Sequence, residues 1–177
     1  KAPQVFVLQR QPFRLCSFLY FYHLKLQKML QEGNQMPVFS GLNHLGEPVN
    51  HTDYTGKKLI VFFYPRANTP GCTAEACNLS DNYAALQAKG YELLGVSADP
   101  VKKQASFATK FGFPYPLLAD EDHVAIKAFG VWGPKKFQGR EYEGIIRTTF
   151  VIDESGTIVR VINKVKTKDH AAQILEG

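Results

Sequence analysis

The stretch that decides the fold is residues 61–77, which read VFFYPRANTPGCTAEAC. It begins within an unbroken β-branched and aromatic run, residues 59–64, that is bounded by Pro65. Such a run is typical of a central strand covered on both faces. A turn is predicted over residues 68–71, and helix-forming residues follow from Cys72 to about residue 90. Cys72 is therefore predicted to lie where the carboxyl end of a strand leads into the amino end of a helix.

This position favours a reactive thiol at Cys72. The first N–H groups of a helix have no partner inside the helix, and the peptide dipoles favour negative charge there. A thiol so placed has its pKa lowered below the free value of about 8.5. The hydroxyl of Thr69, three residues upstream, is expected to turn toward the sulfur or toward an oxygen of a bound substrate. We therefore predict that Cys72 is functional rather than a small buried hydrophobe.

Cys77 is a second thiol in the same predicted helix. A structural role and a functional one are about equally favoured, because free cysteines are most often buried apolar residues. In a regular helix, five residues separate the Cα atoms of Cys72 and Cys77 by roughly 8–9 Å, beyond the ~7 Å limit for a disulfide. A bond between them therefore requires either that the helix unwinds or that Cys77 lies outside regular helix.

The rest of the chain predicts an α/β protein with parallel strands, crossover helices and a closing antiparallel hairpin. A strand over residues 91–98 is expected to pair in parallel with the first strand. The remaining predicted elements are a small hairpin with arms at 38–39 and 48–49, a helix over 99–111, a strand over 116–119, strands over 145–152 and 157–165, and a last helix from Lys168 capped by Thr167. This order predicts a thioredoxin-like sandwich, with a mixed central β-sheet flanked by helices.

Charge and composition exclude several other classes of protein. The net charge is +5, and residues 1–28 carry five basic and no acidic residues, so that 16 of the 21 basic residues remain against 16 acidic ones. A basic groove for nucleic acid is not supported. The histidines are scattered and there is no C-x-x-C pair, so no metal site is predicted. The three acids at 120–122 are better explained as the start of a helix than as metal ligands. The basic residues of a predicted loop, 130–144, are expected to be solvated.

Residues 1–28 differ from the rest of the chain. Residues 15–24 form an apolar, aromatic-rich run that is too short to span a membrane and lacks a small-residue cleavage site. We expect an N-terminal extension without a catalytic role, in which Cys16 is incidental, followed by one domain over residues 29–177. The expected location is the bacterial cytoplasm, and an organelle or export only if residues 1–28 prove to be a targeting segment.

Residues 29–177 resemble the peroxiredoxins. The family signature P-x-x-x-T-x-x-C is met by Pro65, Thr69 and Cys72, and NTPGCTAEAC is similar to the bacterioferritin comigratory protein, or peroxiredoxin Q, branch. Further matches are FPYPLLADED, AFGVWG and YEGIIRTTFVIDESGTI. The resemblance implies a thiol peroxidase that uses no cofactor and acts on hydrogen peroxide and organic hydroperoxides.

The resemblance also implies a role for each matching residue. Cys72 would be the peroxidatic thiol, Cys77 would form an intramolecular disulfide with it, and thioredoxin or a similar dithiol would reduce that disulfide. Arg147 would approach the Cys72 sulfur, although a charge in an apolar strand is more often exposed. Pro65 would shield the site, and the peroxide would bind at Thr69, Gly71, Cys72 and Arg147. A monomer or weak homodimer is expected.

Two other functions stay open on the residues alone. A general disulfide oxidoreductase of the same fold is disfavoured because such enzymes use C-x-x-C, which this chain lacks. A non-catalytic binding or chaperone domain is disfavoured by the joint presence of Pro65, Thr69, Cys72 and Arg147. Gln104 stands where many relatives of the resembled branch have histidine, which leaves open a difference in substrate preference or thiol tuning.

Overall fold

The computed structural model describes residues 28–137 and 139–176. Their strands are β1 Ser40–Asn43, β2 Pro48–Asn50, β3 Lys58–Phe63, β4 Tyr91–Ser97, β5 Leu117–Ala119, β6 Trp132–Phe137, β7 Arg140–Ile145, β8 Thr148–Ile152 and β9 Ile158–Ile162. Their helices are α1 Pro70–Asp81, α2 Tyr83–Ala88, α3 Val101–Phe111, α4 Val124–Ala128 and α5 His170–Leu175, with a 3-10 turn at His51–Tyr54. Within these ranges, every helix is too short or too polar to span a membrane. The predicted extension, including Cys16, lies outside the described residues except for Lys28.

Seven strands form one mixed sheet in the order β2-β1-β5-β4-β3-β8-β9, while β6 and β7 form a separate hairpin. The β3–β4 and β4–β5 pairs are parallel, and the other pairs of the large sheet are antiparallel. The predicted hairpin at the sheet edge is present as β1 and β2, although its first arm begins at Ser40 rather than Val38. The predicted fold class is confirmed: a thioredoxin-like α/β sandwich whose mixed sheet has helices on both faces.

Strand β3 lies at the centre because both of its faces are apolar. Ile60, Phe62 and Tyr64 point into one core, which also contains residues of α1, α2, α3 and α5. The alternate residues Leu59, Val61 and Phe63 point into a second core with α4 and the 3-10 turn. Side chains alternate along a strand, so a run with no polar position must be buried on both sides. This double burial fixes the end of β3, and with it the start of α1.

The helix after β3 begins earlier than predicted and is interrupted. It starts at Pro70, with Thr69 as the N-cap residue, because proline is favoured at the first helical position, where its missing N–H costs nothing. The predicted turn over 68–71 therefore contains the first two helical residues. Asn82 breaks the segment into α1 and α2, and its side-chain Nδ2 donates to the Asn78 carbonyl. Side-chain bonds of this kind compete with the helical pattern.

Three further predictions about elements were wrong. The segment 130–144 is largely the β6–β7 hairpin rather than a loop, since its residues pair in register from Trp132↔Ile145 to Phe137↔Arg140. The predicted strand over 145–152 is divided, and Arg147 lies between β7 and β8, outside any strand. The last helix begins at His170 rather than Lys168, with Asp169 in the N-cap position.

The acids at 120–122 organise the start of α4. Asp120 is buried, and its carboxylate accepts hydrogen bonds from the N–H groups of Val124 and Ile126. This arrangement agrees with the predicted helix start, because a carboxylate satisfies free helix N–H groups and complements the dipole. The described residues contain no cluster of three or more potential metal ligands.

Phe129 tests how the second core supports the fold. It is fully buried against the rings of Phe39, Phe63 and Phe150. Phe129→Ala should lower the free energy of unfolding by about 3–5 kcal/mol because it leaves a cavity in a packed core. Val38→Ala, at a side chain that is 72% exposed, should change it by less than about 0.5 kcal/mol. Urea denaturation measures both, and a Phe129→Ala chain as stable as wild type would contradict this account of the core.

Candidate active site

Cys72 is the third residue of α1 and is buried, with only 2% of its surface exposed. The first hydrogen bond of the helix runs from the N–H of Thr73 to the carbonyl of Thr69, at 2.9 Å. The N–H groups of Gly71 and Cys72 precede that bond, so they belong to the free amides of the first turn. The predicted position of Cys72, where a buried strand leads into a helix, is therefore present.

Arg147 reaches the sulfur from the connection between β7 and β8. Its Nη2 donates to the Cys72 Sγ at 3.1 Å, and its Nη1 donates to the Glu75 carboxylate. Burial alone would lower the pKa of Arg147, but the charges of Glu75 and Cys72 raise it, so the guanidinium is a permanent cation. A Cβ on Gly71 would lie 3.5 Å from Nη2, in van der Waals contact with the guanidinium. The structure thus brings Gly71, Cys72 and Arg147 together.

Glu75 is the main residue of the site that sequence reasoning missed. It is fully buried and forms an ion pair with Arg147. Burial raises the pKa of Glu75 to about 7, although the Arg147 charge and hydrogen bond act in the opposite direction. One signal was available, because residues i and i+3 share a helix face and Glu75 follows Cys72 by three positions. A carboxylate that faces inward on the same side of the helix as Cys72 is costly to bury, so it requires a cation beside it.

Pro65 and Thr69 bound the loop that leads to the site. Both line the groove above Cys72, but the Thr69 hydroxyl donates to the carbonyl of Arg66 at 2.9 Å. Its proton is therefore directed away from the sulfur, and only its lone pairs are open to other donors. The loop is held from below by buried Asp99, whose Oδ2 accepts the N–H of Ala67 at 2.6 Å.

The groove above Cys72 has a volume of about 650 Å³ and is walled on one side by the β6–β7 hairpin. Trp132, Tyr142 and Ile145 give this wall an apolar character. Lys135 also lines the groove, and its Nζ donates to the carbonyl of Ile145 at 2.9 Å. Burial lowers the pKa of Lys135, as does the Arg147 charge. The expectation that the basic residues of this segment form a solvated face was wrong for Lys135, because the hairpin folds back toward the site.

Gln104 lies in a buried network rather than in the groove. It is fully buried, and its Oε1 accepts the hydroxyl of Tyr64. Its Nε2 donates to the Ser97 Oγ and to the Leu118 carbonyl, both at 3.0 Å. These bonds join α3 to the ends of β3, β4 and β5. Gln104 therefore supports the base of the site and does not line the groove.

Cys77 lies in α1, partly buried, and both cysteines are free thiols. Burial, and then the charge of Asp81, raise the pKa of Cys77. Of the two alternatives open from the sequence, the structure excludes a Cys77 outside the helix, because the helix runs through both cysteines. Three tertiary hydrogen bonds hold this part of α1, in addition to the burial of Ala76 and Leu79 in the core: the Tyr115 hydroxyl donates to the Ala76 carbonyl at 2.6 Å, and the Asn78 side chain binds the backbone of Lys168 and Ala171.

Comparisons with known proteins agree with this arrangement. The AhpC/TSA family model matches residues 33–161. Peroxiredoxin Bcp of Escherichia coli K12 is 44% identical over 146 residues, which are 82% of this chain and 94% of that protein. A solved structure of peroxiredoxin Q from Xanthomonas campestris superposes with a TM-score of 0.73 at 33% identity, covering 78% of this chain and 87% of that one.

Peroxidoxin BcpB of Mycobacterium tuberculosis gives a TM-score of 0.74 at 34% identity, over 84% of this chain and 96% of that one. The family match spans well over half of the chain, and its relatives are matched over nearly their whole length. The chain therefore belongs to the AhpC/TSA family, as a peroxidase of the peroxiredoxin Bcp (peroxiredoxin Q) branch.

Proposed function

We propose that Cys72 is the peroxidatic thiol of this peroxidase. The observation that carries the proposal is the Arg147 guanidinium, which donates to the Cys72 sulfur at 3.1 Å beside free amides of the α1 start. The Cys72 thiolate attacks one oxygen of a hydroperoxide, the S–O bond forms as the O–O bond breaks, and Cys72 becomes a sulfenic acid. The departing oxygen leaves as an alkoxide or hydroxide and takes up a proton to give an alcohol or water.

Four residues are suited to bind the two peroxide oxygens. The N–H groups of Gly71 and Cys72 and the guanidinium of Arg147 donate toward the charge that develops on the departing oxygen. The lone pairs of the Thr69 hydroxyl accept the peroxide O–H, because the hydroxyl proton is already given to Arg66. Pro65 covers the loop side of the groove and limits the access of water.

The groove supports organic hydroperoxides as substrates in addition to hydrogen peroxide. Its volume of about 650 Å³ greatly exceeds the ~30 Å³ that one water molecule occupies in the liquid. Its wall of Trp132, Tyr142 and Ile145 offers apolar surface to an alkyl group. A solved structure of the Xanthomonas campestris bacterioferritin comigratory protein is described in terms of alkyl peroxide reduction by that protein. The same activity is proposed for this chain.

Cys77 is the proposed resolving thiol. Its sulfur attacks the Cys72 sulfenic acid, a disulfide forms, and water leaves. The Cα atoms of residues i and i+5 in a regular helix are roughly 8–9 Å apart, beyond the ~7 Å that a disulfide spans, so α1 must unwind first. Unwinding also breaks the contact of Tyr115 with Ala76. Thioredoxin or a similar dithiol then reduces the disulfide, and no cofactor takes part.

Serine variants of the two cysteines test these roles with a peroxide-consumption assay that contains thioredoxin, thioredoxin reductase and NADPH. Cys72→Ser should abolish consumption, because a hydroxyl does not supply an anionic nucleophile near neutral pH. Cys77→Ser should consume about one equivalent of peroxide per chain and then stop, because no disulfide is available to thioredoxin.

Peptide mapping after one equivalent of peroxide identifies the disulfide. An intramolecular Cys72–Cys77 link is expected, and a predominantly disulfide-linked dimer or a link to Cys16 would contradict the proposed resolving step. Turnover that persists in Cys72→Ser would assign the nucleophile to another cysteine. The assay also separates the proposed function from the alternatives, since a non-catalytic domain consumes no peroxide and a general disulfide oxidoreductase acts without it.

We propose that residues 29–177 form the catalytic domain and that the protein is a monomer or weak homodimer. The proposed location is the bacterial cytoplasm, because the similar peroxiredoxin Bcp comes from Escherichia coli. A chain that begins at Met29 should keep the peroxidase rate of the full chain within about twofold, because the groove residues all lie downstream. Gel filtration should give the same oligomeric state for both chains. A loss of solubility or activity would make residues 1–28 part of the domain.

A further inference from the structure

The Glu75 carboxyl has one oxygen that the peroxidase chemistry does not use. Arg147 binds Oε2, but Oε1 is buried without a hydrogen-bond donor among the described residues. The Nε2 of His170, on helix α5, lies 3.9 Å from it. Both side chains are fully buried. Because both atoms are closed off from water, the side chains around them determine which of the two carries a proton.

The hydrogen bonds of Gln173 define the tautomer of His170. The Gln173 Oε1 accepts the N–H of Lys166, and its Nε2 donates to the carbonyl of Lys164, both at 3.0 Å, which fixes the amide orientation. The His170 Nδ1 lies 3.2 Å from that Oε1 and therefore carries the hydrogen. In the neutral ring Nε2 is then a lone pair, which accepts the Thr149 hydroxyl at 2.8 Å.

With this tautomer, the state of Glu75 decides whether the contact with His170 is repulsive. The Thr149 hydroxyl occupies the Nε2 lone pair, so an ionised Glu75 would bury an anionic Oε1 beside an electron-rich nitrogen, with no hydrogen between them. A proton on either atom removes this repulsion. Burial lowers the pKa of His170 to about 4, with the charges of Arg147 and Arg160 acting in the same direction and the Gln173 hydrogen bond opposing them, so the ring stays neutral. Burial raises the pKa of Glu75, so the proton belongs on the carboxyl.

The groups facing Glu75 make its proton sensitive to Cys72. Arg147 approaches from the β7–β8 connection, His170 from α5, and Tyr115 lies on the Ala76 side of α1. Arg147 is shared with the Cys72 sulfur, so one buried cation faces two potential anions. If Cys72 were a thiolate and Glu75 a carboxylate at the same time, the two anions and the Arg147 cation would have a net charge of −1. A thiolate with a protonated Glu75 leaves these three groups neutral overall, as does a sulfenic acid with an ionised Glu75.

We propose that Glu75 stores a proton for the peroxidase reaction: its otherwise unpartnered Oε1 carries a hydrogen while Cys72 is a thiolate, and releases it when Cys72 becomes an uncharged sulfenic acid. This inference rests on the proposed function. The balance is Cys72 thiolate plus hydroperoxide plus Glu75 carboxylic acid, giving Cys72 sulfenic acid, alcohol and Glu75 carboxylate. The proton leaves to solvent, and the alkoxide takes one from the groove, so no direct path between them is needed.

Difference infrared spectroscopy on the full-length Cys77→Ser chain tests the proposal, because the carbonyl stretch of an un-ionised carboxylic acid is separate from that of a carboxylate. Spectra are recorded near pH 7 before and after one equivalent of hydrogen peroxide. We expect a carboxylic acid band to be lost on oxidation and a carboxylate band to be gained. Both should be absent when Glu75→Gln is added, and both should persist with Glu121→Gln, a matched change at an exposed acid.

Nitrogen-15 resonances of wild-type His170 should show a protonated Nδ1 and a bare Nε2 in both redox states. An imidazolium, or an unchanged carboxylic acid region while mass spectrometry shows oxidised Cys72, would overturn the proton store alone. A Cys72 that peroxide does not oxidise would instead overturn the proposed function on which it rests.

Discussion

The rest of the site depends on one interaction, the contact of a single buried guanidinium with both a sulfur and a carboxyl group. Arg147 donates through Nη2 to Cys72 and through Nη1 to Glu75. A buried charge is costly unless it is paired, so the guanidinium stabilises the anionic form of either group, and the two groups compete for its one positive charge. The shared cation joins the start of α1 to the β7–β8 connection. Glu75 in turn faces His170 of α5, so this helix also contributes to the surroundings of the buried charge.

In the proposed cycle, the same helix start must be ordered for one step and disordered for the next. Cys72 needs the free amides and the guanidinium that an intact α1 presents, whereas a disulfide with Cys77 needs α1 unwound. Besides the burial of Ala76 and Leu79 in the core, α1 is held by polar contacts through Tyr115 and Asn78. Unwinding after oxidation must break such contacts locally while the rest of the fold stays in place. The large sheet, buried on both faces of β3, supplies the rigid part.

Local sequence signals predicted much of the fold and the position of the Cys72 thiol at a helix start. The uniformly apolar run at 59–64 is enough to predict a strand that is buried on both faces. The turn and the helix-forming residues that follow it are enough to predict that Cys72 lies at a helix start. The order of strands and helices then predicts the mixed sheet. The proximity of Arg147 to Cys72 came from the resemblance to peroxiredoxins, since an isolated arginine among apolar residues is more often exposed.

What the sequence did not predict depends on contacts between distant segments. Glu75 and His170 are 95 positions apart and face each other only because α5 packs against α1. Lys135 enters the groove because residues 130–144 pair as a hairpin, although Gly133 and Pro134 are poor strand formers. Arg147 leaves the strand pattern at the connection from β7 to β8, where backbone direction is set by the two strands and not by local propensity.

The central claim is that Arg147 acts on Cys72 as one unit with Glu75. Trp132 lies in the groove and is the chain's single tryptophan, so its fluorescence can follow the oxidation of Cys72 by hydrogen peroxide in a stopped-flow instrument. The second-order rate constants of wild type, Arg147→Ala, Glu75→Gln and the double variant form a double-mutant cycle. The account predicts that Arg147→Ala slows the reaction, that Glu75→Gln changes its rate only through Arg147, and that the double variant is no slower than Arg147→Ala. Rate losses that multiply in the double variant would contradict it.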